Sequence, residues 1–337
     1  MMKMIRMIKK NNVFDTYKRI HNYLRISLTD NCNFRCLYCM PEENPQCFFR
    51  HDELMTTDEI FAIAKVFVDN GTNKIRLTGG EPLARHDFAE IITKLAQLQV
   101  ELTLTTNGVL LHKYITLLKQ IGINSVNISI DSLNSDKFQW ITKRNALPQV
   151  WENILLCVRE NFHVKLNVVI MKGVNEQEIP DFVALTRDLP LHVRFIEFMP
   201  FNGNAWGADR VVTMDEMLAS IAAQFPIEKI EDCMHETAKK YTVLGHRGTF
   251  AFITTLSKSF CKDCNRMRLT ADGKMKNCLF GKEEFDILGA LRKKEDIYPL
   301  ISQCVLRKYE RMGGQFENYK TLNPEYLENR TMIKIGG

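Results

Sequence analysis

The sequence predicts an α/β fold in which six β-α units form a parallel sheet, closed or partly closed into a barrel, followed by a C-terminal extension. Three observations lead there. Short apolar runs alternate with helical patterns from Tyr23 to Pro200, an order that lays parallel strands side by side with helices between them. The strands carry a polar and cationic face opposite an apolar one, so one side packs under helices and the other lines a space too polar to be a filled core. Beyond Pro200 the alternation stops and no further β-α unit is legible. The division expected is a leader over 1–22, a barrel over 23–200 and a C-terminal region over 201–337.

Composition narrows the function classes. A chain of 337 residues with ordinary hydrophobic and charged fractions can bury a large core, and it carries no apolar run long enough to span a membrane. The formal charge of +5 is small and not gathered into basic blocks, which suits a small acidic ligand better than nucleic acid. Ten cysteines in short groups, without a secretion signal, point to a reducing compartment, the cytoplasm, and to bound metal instead of disulfides.

Taken in order, Met1 to Lys10 is basic, and lysines and Arg6 interrupt its apolar residues before signal-peptide length; it reads as a frayed leader, with an organellar transit peptide as the alternative. Tyr23 to Leu28 is a strand. Directly after it stand Cys32, Cys36 and Cys39, a C-x3-C-x2-C spacing that turns three thiolates onto one small inorganic centre. A closed structural site wants four protein ligands, so three in one loop leave a position open, as catalytic metal sites do. Three buried packing cysteines are the bland alternative.

Thr56-Thr57-Asp58-Glu59 is a capping box, opening a helix with Ile60, Ile63, Ala64, Phe67 and Val68 on one face and ending at Asn70-Gly71. Strands follow over Lys74 to Thr78, Leu102 to Thr105, Val126 to Ile130, Val164 to Ile170 and Val193 to Phe198. Alternation places Lys74, Arg76 and Thr78 opposite Ile75 and Leu77, and Arg25, Ser27 and Thr29 opposite Leu24, Ile26 and Leu28. Thr103 and Thr105, and then Asn127, Ser129 and Asp131, repeat the split. The polar faces predict a wet cavity for a charged ligand; an antiparallel sheet with one solvated face is the other reading. Gly79-Gly80 is either a bare turn or a close approach of backbone to ligand.

In the C-terminal region Thr213 to Ala223 reads as a helix. Cys261 and Cys264 form a C-x2-C pair, and the stretch from Arg266 to Cys278 reads as a hairpin turning at Asp272-Gly273, which folds Cys278 back beside Cys264. Three ligands again leave a vacancy, unless a distant histidine such as His246 completes a structural zinc site. Cys47, Cys157, Cys233 and Cys304 lack partners at metal spacing and read as packing residues.

The run Cys32-Asn-Phe-Arg-Cys36-Leu-Tyr38-Cys39, with Gly79-Gly80-Glu81-Pro82, resembles the radical S-adenosylmethionine superfamily. The resemblance implies a 4Fe-4S cluster on the three cysteines, with S-adenosylmethionine chelating the open iron and yielding a 5′-deoxyadenosyl radical on one-electron reduction. It narrows to the GTP 3′,8-cyclase family of molybdenum cofactor biosynthesis. The further stretches that carry it are Leu24-Arg25-Ile-Ser-Leu-Thr-Asp30, Lys74-Ile-Arg76-Leu-Thr-Gly-Gly-Glu-Pro82, Leu104-Thr-Thr-Asn-Gly108, Asn127-Ile-Ser-Ile-Asp131, Arg194-Phe-Ile-Glu-Phe-Met199, the hairpin from Cys261 and the terminal Gly336-Gly337.

That family resemblance implies a partial (βα)6 barrel with a second 4Fe-4S cluster on Cys261, Cys264 and Cys278, its vacant iron binding the guanine of GTP. It implies a lyase in which the ribose 3′ hydrogen is abstracted and the ring closes onto guanine carbon 8, giving 3′,8-cyclo-7,8-dihydro-GTP. By the same resemblance Arg25, Lys74, Thr105, Lys165, Arg266, Met267 and Arg268 belong at GTP; Tyr38, Gly80, Ser129 and Met199 at S-adenosylmethionine; Arg76 and Arg194 line the radical site; and Gly336 and Gly337 reach into it. Implied partners are an electron donor such as flavodoxin or ferredoxin and the cyclic pyranopterin monophosphate synthase that takes the product, with a homodimer compatible and no nucleic acid or membrane. A peptide-modifying radical enzyme with an auxiliary cluster, or a non-catalytic zinc or iron-sulfur module, would also explain the cysteines, but neither needs the cationic strand faces. The leader before Tyr23 is unusual for the family, and the stretch from Arg307 to Met332 carries little that matches it.

Overall fold

A computed structural model of the chain describes residues 12–40, 48–232 and 235–336. Met1 to Lys10, Cys47, Cys233 and Gly337 lie outside the described residues. Six strands fall within one residue of the alternation that predicts them: β1 (Tyr23–Ser27), β2 (Lys74–Thr78), β3 (Glu101–Thr106), β4 (Ser125–Ser129), β5 (His163–Ile170) and β6 (His192–Glu197). Between them lie α1 (Thr57–Asp69), α2 (Phe88–Ala96), α3 (Ile115–Gln120), α4 (Ser135–Thr142), α5 (Leu147–Arg159) and α6 (Ile179–Ala184). The capping box of α1 forms as its sequence requires, Glu59 N–H donating to Thr56 Oγ1 at 3.3 Å and Thr56 N–H to Glu59 Oε2 at 2.8 Å.

The parallel run is longer than six strands. After α7 (Met214–Ala222) come β7 (Ile227–Lys229), β8 (Ala238–Val243), β9 (Thr249–Ile253), β10 (Arg266–Leu269), β11 (Lys274–Lys276) and β12 (Phe285–Asp286). The sheet order is β12-β11-β10-β1-β2-β3-β4-β5-β6-β9-β8-β7, with β9 parallel to β6 and β10 parallel to β1. Beyond Pro200, where the sequence shows no further β-α unit, the C-terminal region still supplies a parallel strand to each edge of the barrel. β9 escapes the sequence pattern because it is reached through an antiparallel β7–β8 pair, whereas β10 is the first arm of the expected hairpin and only its parallel pairing with β1 is new. Among the described residues the sheet stays open, since β12 and β7 end the order and do not pair with each other.

The outward faces of the parallel strands make the core. Leu24, Ile26, Ile75, Leu77, Val126, Leu166, Phe195, Phe252 and Met267 are all buried under helices. Each such side chain contributes about 1.5 to 3 kcal/mol of transfer free energy, which is why the register holds the polar faces inward. Cys157 and Cys304 are fully buried, as packing residues are.

Helices α8 (Ile287–Arg292) and α9 (Tyr298–Leu306) back the hairpin, and α10 (Met332–Ile335) ends the chain's regular structure. The two stretches that sequence leaves unassigned pack on each other. Phe14 and Ile20 bridge antiparallel, and Arg19 donates to the carbonyls of Tyr309, Glu310 and Cys261 at 2.9, 2.9 and 2.7 Å. Further on, Asn329 donates to Leu279 O at 2.8 Å and Arg330 pairs with Asp272 at 2.8 Å and with Glu284. The strap from 309 to 330 thus crosses the hairpin and delivers the tail to the mouth of the barrel.

Candidate active site

The inward strand faces enclose a cavity of about 690 Å³. All six cysteines of the two groups line it, at opposite ends. Cys32, Cys36 and Cys39 follow β1 and so sit at the carboxyl ends of the parallel strands. Cys261 and Cys264 precede β10, and Cys278 follows the antiparallel β11, so the second group sits at the amino ends.

The first loop is held by its neighbours. Arg35 N–H donates to Thr142 O at 2.9 Å and Leu37 N–H to Ile141 O at 3.0 Å, fastening the loop to the last turn of α4. Gly79 adopts φ +147°, and a Cβ at Gly80 would collide with the backbone carbonyl of Asn31, so the paired glycines allow the turn after β2 to lie against the cysteine loop. Glu81 continues that contact: its N–H donates to Asn31 O at 2.9 Å, while its carboxylate accepts from Leu83 N, Thr106 Oγ1 and Asn107 N at 3.0, 2.7 and 2.7 Å. Burial lifts this carboxyl to about 7 against those three donors. Glu81→Gln puts an amide nitrogen where a donor already points. It is expected to cost about 1 to 3 kcal/mol in unfolding free energy and to loosen Asn107 from Asn33. Denaturant unfolding of the variant tests this, and an unchanged midpoint and slope would rule out the anchoring role.

The sulfurs of this group are prepared for a metal by hydrogen-bond donors. Phe34 N–H lies 3.4 Å and Asn107 Nδ2 3.8 Å from Cys32 Sγ, contacts that suit a bound thiolate. Burial, aided by Glu81, pushes the Cys32 thiol up to about 11, and burial with Cys32 and Asp131 takes Cys39 up to about 12. Metal binding must therefore displace these protons. Among the described residues no three His, Cys, Asp or Glu side chains converge for a single ion, whereas a cluster bonds each thiol to a different iron and holds the ligands farther apart. His246, the histidine offered as a fourth zinc ligand for the second group, is turned away from it: its Nδ1 bonds Thr186 Oγ1 at 2.8 Å, its ring packs on Phe225, and it does not line the cavity.

Beside the first group, Tyr38 OH donates to Asp131 Oδ2 at 2.7 Å and Val169 N–H to Asp131 Oδ1 at 2.9 Å, joining the loop to the ends of β4 and β5. Gly80, Ser129 and Met199 share this end of the cavity wall. Asp131, Asn107 and Glu81 are functional candidates that pattern reading passed over. For Asp131 the signal was available, as the last inward position of the Asn127, Ser129, Asp131 alternation.

Between the two groups stands a wall of cations. Lateral register puts Arg25 beside Arg76 on one neighbouring strand and beside Arg268 on the other, with Tyr23 beside Lys74 and Arg266 one step below. Lys165, Thr105 and Arg194 line the facing wall. Arg194 Nε and Asn167 Oδ1 are buried without a hydrogen-bond partner among the described residues, and both residues border the cavity. Burial and the repulsion of Arg194, Arg76 and Lys74 push Lys165 down to about 8, and burial with Arg76 pushes Arg194 down to about 9. Tyr23, absent from the sequence expectations, accepts from Arg76 Nε within this wall. Burial raises its phenol, but Arg76, Arg25 and Arg266 outweigh that and bring it down to about 7.

Met267 corrects an expectation. Its side chain is in the core, because alternation along β10 sends it to the face opposite Arg266 and Arg268, and it takes no part in the cavity wall. Gly336 is buried at the mouth, φ +79°, its carbonyl accepting from Arg268 Nη1 at 2.9 Å.

The second group differs electrically from the first. Burial raises the Cys264 thiol, yet the Lys308 ammonium and the Arg266 guanidinium overcome it and bring it down to about 7. Cys278 remains raised by burial.

Comparison with known proteins adds lineage to this geometry. The pattern described as the Radical SAM superfamily matches residues 26–186, and that described as Molybdenum Cofactor Synthesis C matches residues 191–313. The chain is 43% identical to GTP 3′,8-cyclase of Alkaliphilus oremlandii, covering 96% of this chain and 99% of that protein. It is 43% identical to the mitochondrial GTP 3′,8-cyclase of Arabidopsis thaliana over 98% of this chain and 86% of that one. With molybdenum cofactor biosynthesis protein 1 of Mus musculus the identity is 45% over 96% of this chain but 51% of that protein, so the chain spans about half the length of such relatives. The fold is shared with Streptococcus suis SuiB bound to S-adenosylmethionine, at TM-score 0.60 and 14% identity over 85% of this chain and 68% of that one.

Proposed function

Given that this chain belongs to the GTP 3′,8-cyclase family of the radical S-adenosylmethionine superfamily, we propose that it converts GTP into 3′,8-cyclo-7,8-dihydro-GTP, the first step of molybdenum cofactor biosynthesis. One observation carries the substrate: Arg268, Arg25 and Arg76 are lateral neighbours in register, inside a cavity with a three-thiol group at each end. Like charges on adjacent strands repel, and only a multivalent anion offsets three of them at once. A triphosphate meets that need, with its nucleoside lying toward one of the thiol groups. A peptide substrate gives no reason for the wall.

In this reading Cys32, Cys36 and Cys39 hold one 4Fe-4S cluster and Cys261, Cys264 and Cys278 another. When bound, these clusters and S-adenosylmethionine supply one-electron reduction and a carbon radical that removes hydrogen. The chain's own residues hold the reactants. Tyr38, fixed by Asp131, with Gly80, Ser129 and Met199, shapes the S-adenosylmethionine end. Arg25, Lys74, Lys165, Arg266, Arg268 and Thr105 bind and orient GTP. Arg76 and Arg194 border the reacting sugar, and Gly336 at the mouth brings the tail to the radical site. Residues 23–200 serve the first cluster, 201–337 the second.

The reading calls for an electron donor such as flavodoxin or ferredoxin and for handover of the product to cyclic pyranopterin monophosphate synthase, and a homodimer is compatible with it. A cytoplasmic location is supported by eight described cysteines, all free thiols. No helix among the described residues is long and apolar enough to cross a membrane.

Anaerobic incubation of the reconstituted protein with reductant, S-adenosylmethionine and each nucleoside triphosphate tests the assignment. GTP alone is expected to give the cyclised product and 5′-deoxyadenosine in step, and comparable product from ATP would defeat it. Binding also has a pH signature. Burial and its cationic neighbours hold Lys165 near 8, and a bound triphosphate restores it toward the ordinary lysine range. Above pH 8 binding must therefore take up a proton, so GTP affinity falls as pH rises. Calorimetry at pH 8.5 in buffers of different ionisation enthalpy measures the uptake, and Lys165→Met should lower it; equal uptake in the variant would count against Lys165.

A further inference from the structure

Lys308 lies just past the carboxyl end of α9, in the stretch for which sequence and resemblance supply no role. It is buried, 4% exposed, yet it does not line the cavity. Its Nζ lies 3.4 Å from Cys264 Sγ and 3.0 Å from Arg266 O, and among the described residues no carboxylate pairs with it. A buried ammonium is costly without an anion. Substrate cannot supply that anion, because Lys308 stands behind the sulfur and outside the cavity. The remaining anion is the thiolate set itself.

The surroundings hold Lys308 in place. Lys308 N–H bonds Val305 O at 3.0 Å, the next residues Tyr309 and Glu310 are clamped by Arg19, and Arg19 at the same time grips the carbonyl of Cys261. Arg19 is committed to Asp15, at 2.6 Å, and that carboxylate also accepts His21. The N-terminal segment and the strap after α9 thus converge on the back of the second cysteine group, and among the described residues the cation they bring to a sulfur is Lys308.

We propose that Lys308 is a positioning residue for the second cluster: its buried ammonium is the counter-charge of the Cys264 sulfur and raises the reduction potential of the cluster held by Cys261, Cys264 and Cys278. The inference rests on the reading that these three cysteines hold a cluster. The physical reason is general. A cluster gains negative charge when reduced, so a nearby cation and an N–H···S bond favour the reduced state.

The test is a redox titration of the full-length, reconstituted protein with dithionite, followed by electron paramagnetic resonance, together with iron content. The component missing from Cys264→Ala identifies the second cluster. Lys308→Met should shift the midpoint of that component to more negative potential, Lys308→Gln should shift it part of the way, and Lys308→Arg should stay near the unsubstituted protein. A retained cluster with an unmoved midpoint in Lys308→Met overturns the proposal. If Lys308→Met fails to assemble the cluster, assembly in Lys308→Arg but not in Lys308→Gln supports the role of charge. Loss in both, or equal midpoints in both, overturns it, because shape and not charge would then decide. If the unsubstituted protein has no Cys264-dependent component, the reading of the cysteine group itself fails, and this inference with it.

Discussion

Cys36→Ala is expected to abolish cleavage of S-adenosylmethionine, to the detection limit of 5′-deoxyadenosine, whereas Cys264→Ala should keep slow cleavage and lose the cyclised product. The asymmetry follows from position. Cys36 lies at the carboxyl ends of the strands, in the loop that also carries Tyr38 and rests on Gly80 and Asn107 through its neighbours. Cys264 lies at the other end of the cavity, next to Arg266 and backed by Lys308. Losing one ligand of three leaves a site that cannot hold its cluster, so the first substitution removes the means of cleavage and the second removes only a hold on the substrate. Circular dichroism should show both variants folded. Equal loss of cleavage in the two folded variants would end the division of labour.

A comparably large effect is expected at the tail. Gly336 adopts a left-handed φ, and an added Cβ would lie 2.6 Å from Ser27 Cβ and 3.0 Å from Thr78 Oγ1, at the ends of β1 and β2. Alanine there must withdraw the tail or strain the backbone by about 1 to 3 kcal/mol. The Gly336 carbonyl is also the acceptor for Arg268, so withdrawal frees a guanidinium of the substrate wall. Gly336→Ala with Gly337→Ala should reduce cyclised product by about 10²-fold, the scale of an ångström-sized misplacement of reacting groups, while iron content and GTP affinity stay near normal. Single-turnover product yield and equilibrium GTP binding measure the two sides. Full turnover in a protein extended beyond Gly337 would show that the tail has no part in the chemistry.

Much of the site was legible before the fold. Three thiols within eight residues announce an inorganic centre wherever the loop lies, and period-two alternation in β2 and β4 announces an inward polar face, because both signals are local. The capping box at Thr56 likewise needs only four consecutive residues, and α1 begins where that box puts it. Even the correction at Met267 lies within reach of the same rule, since Arg266 and Arg268 cannot share a face with the residue between them.

What tertiary structure alone decided involves contacts between distant parts of the chain. Arg19 meets Cys261 across 242 positions, and Lys308 meets Cys264 across 44, so no window of sequence contains either pair. The extension of each barrel edge by β9 and β10 is of the same kind: strand pairing is chosen by which backbone edge is left open after the others have paired, and alternation within a strand carries no record of its neighbour. His246 turned away from the second cysteine group for that reason too, its ring being claimed by Phe225 and Thr186. The sequence by itself determined which side chains face inward and which residues could bind metal. The fold determined which of those residues meet, because burial beside a particular cation or carboxylate is a property of the packed chain and not of any segment of it.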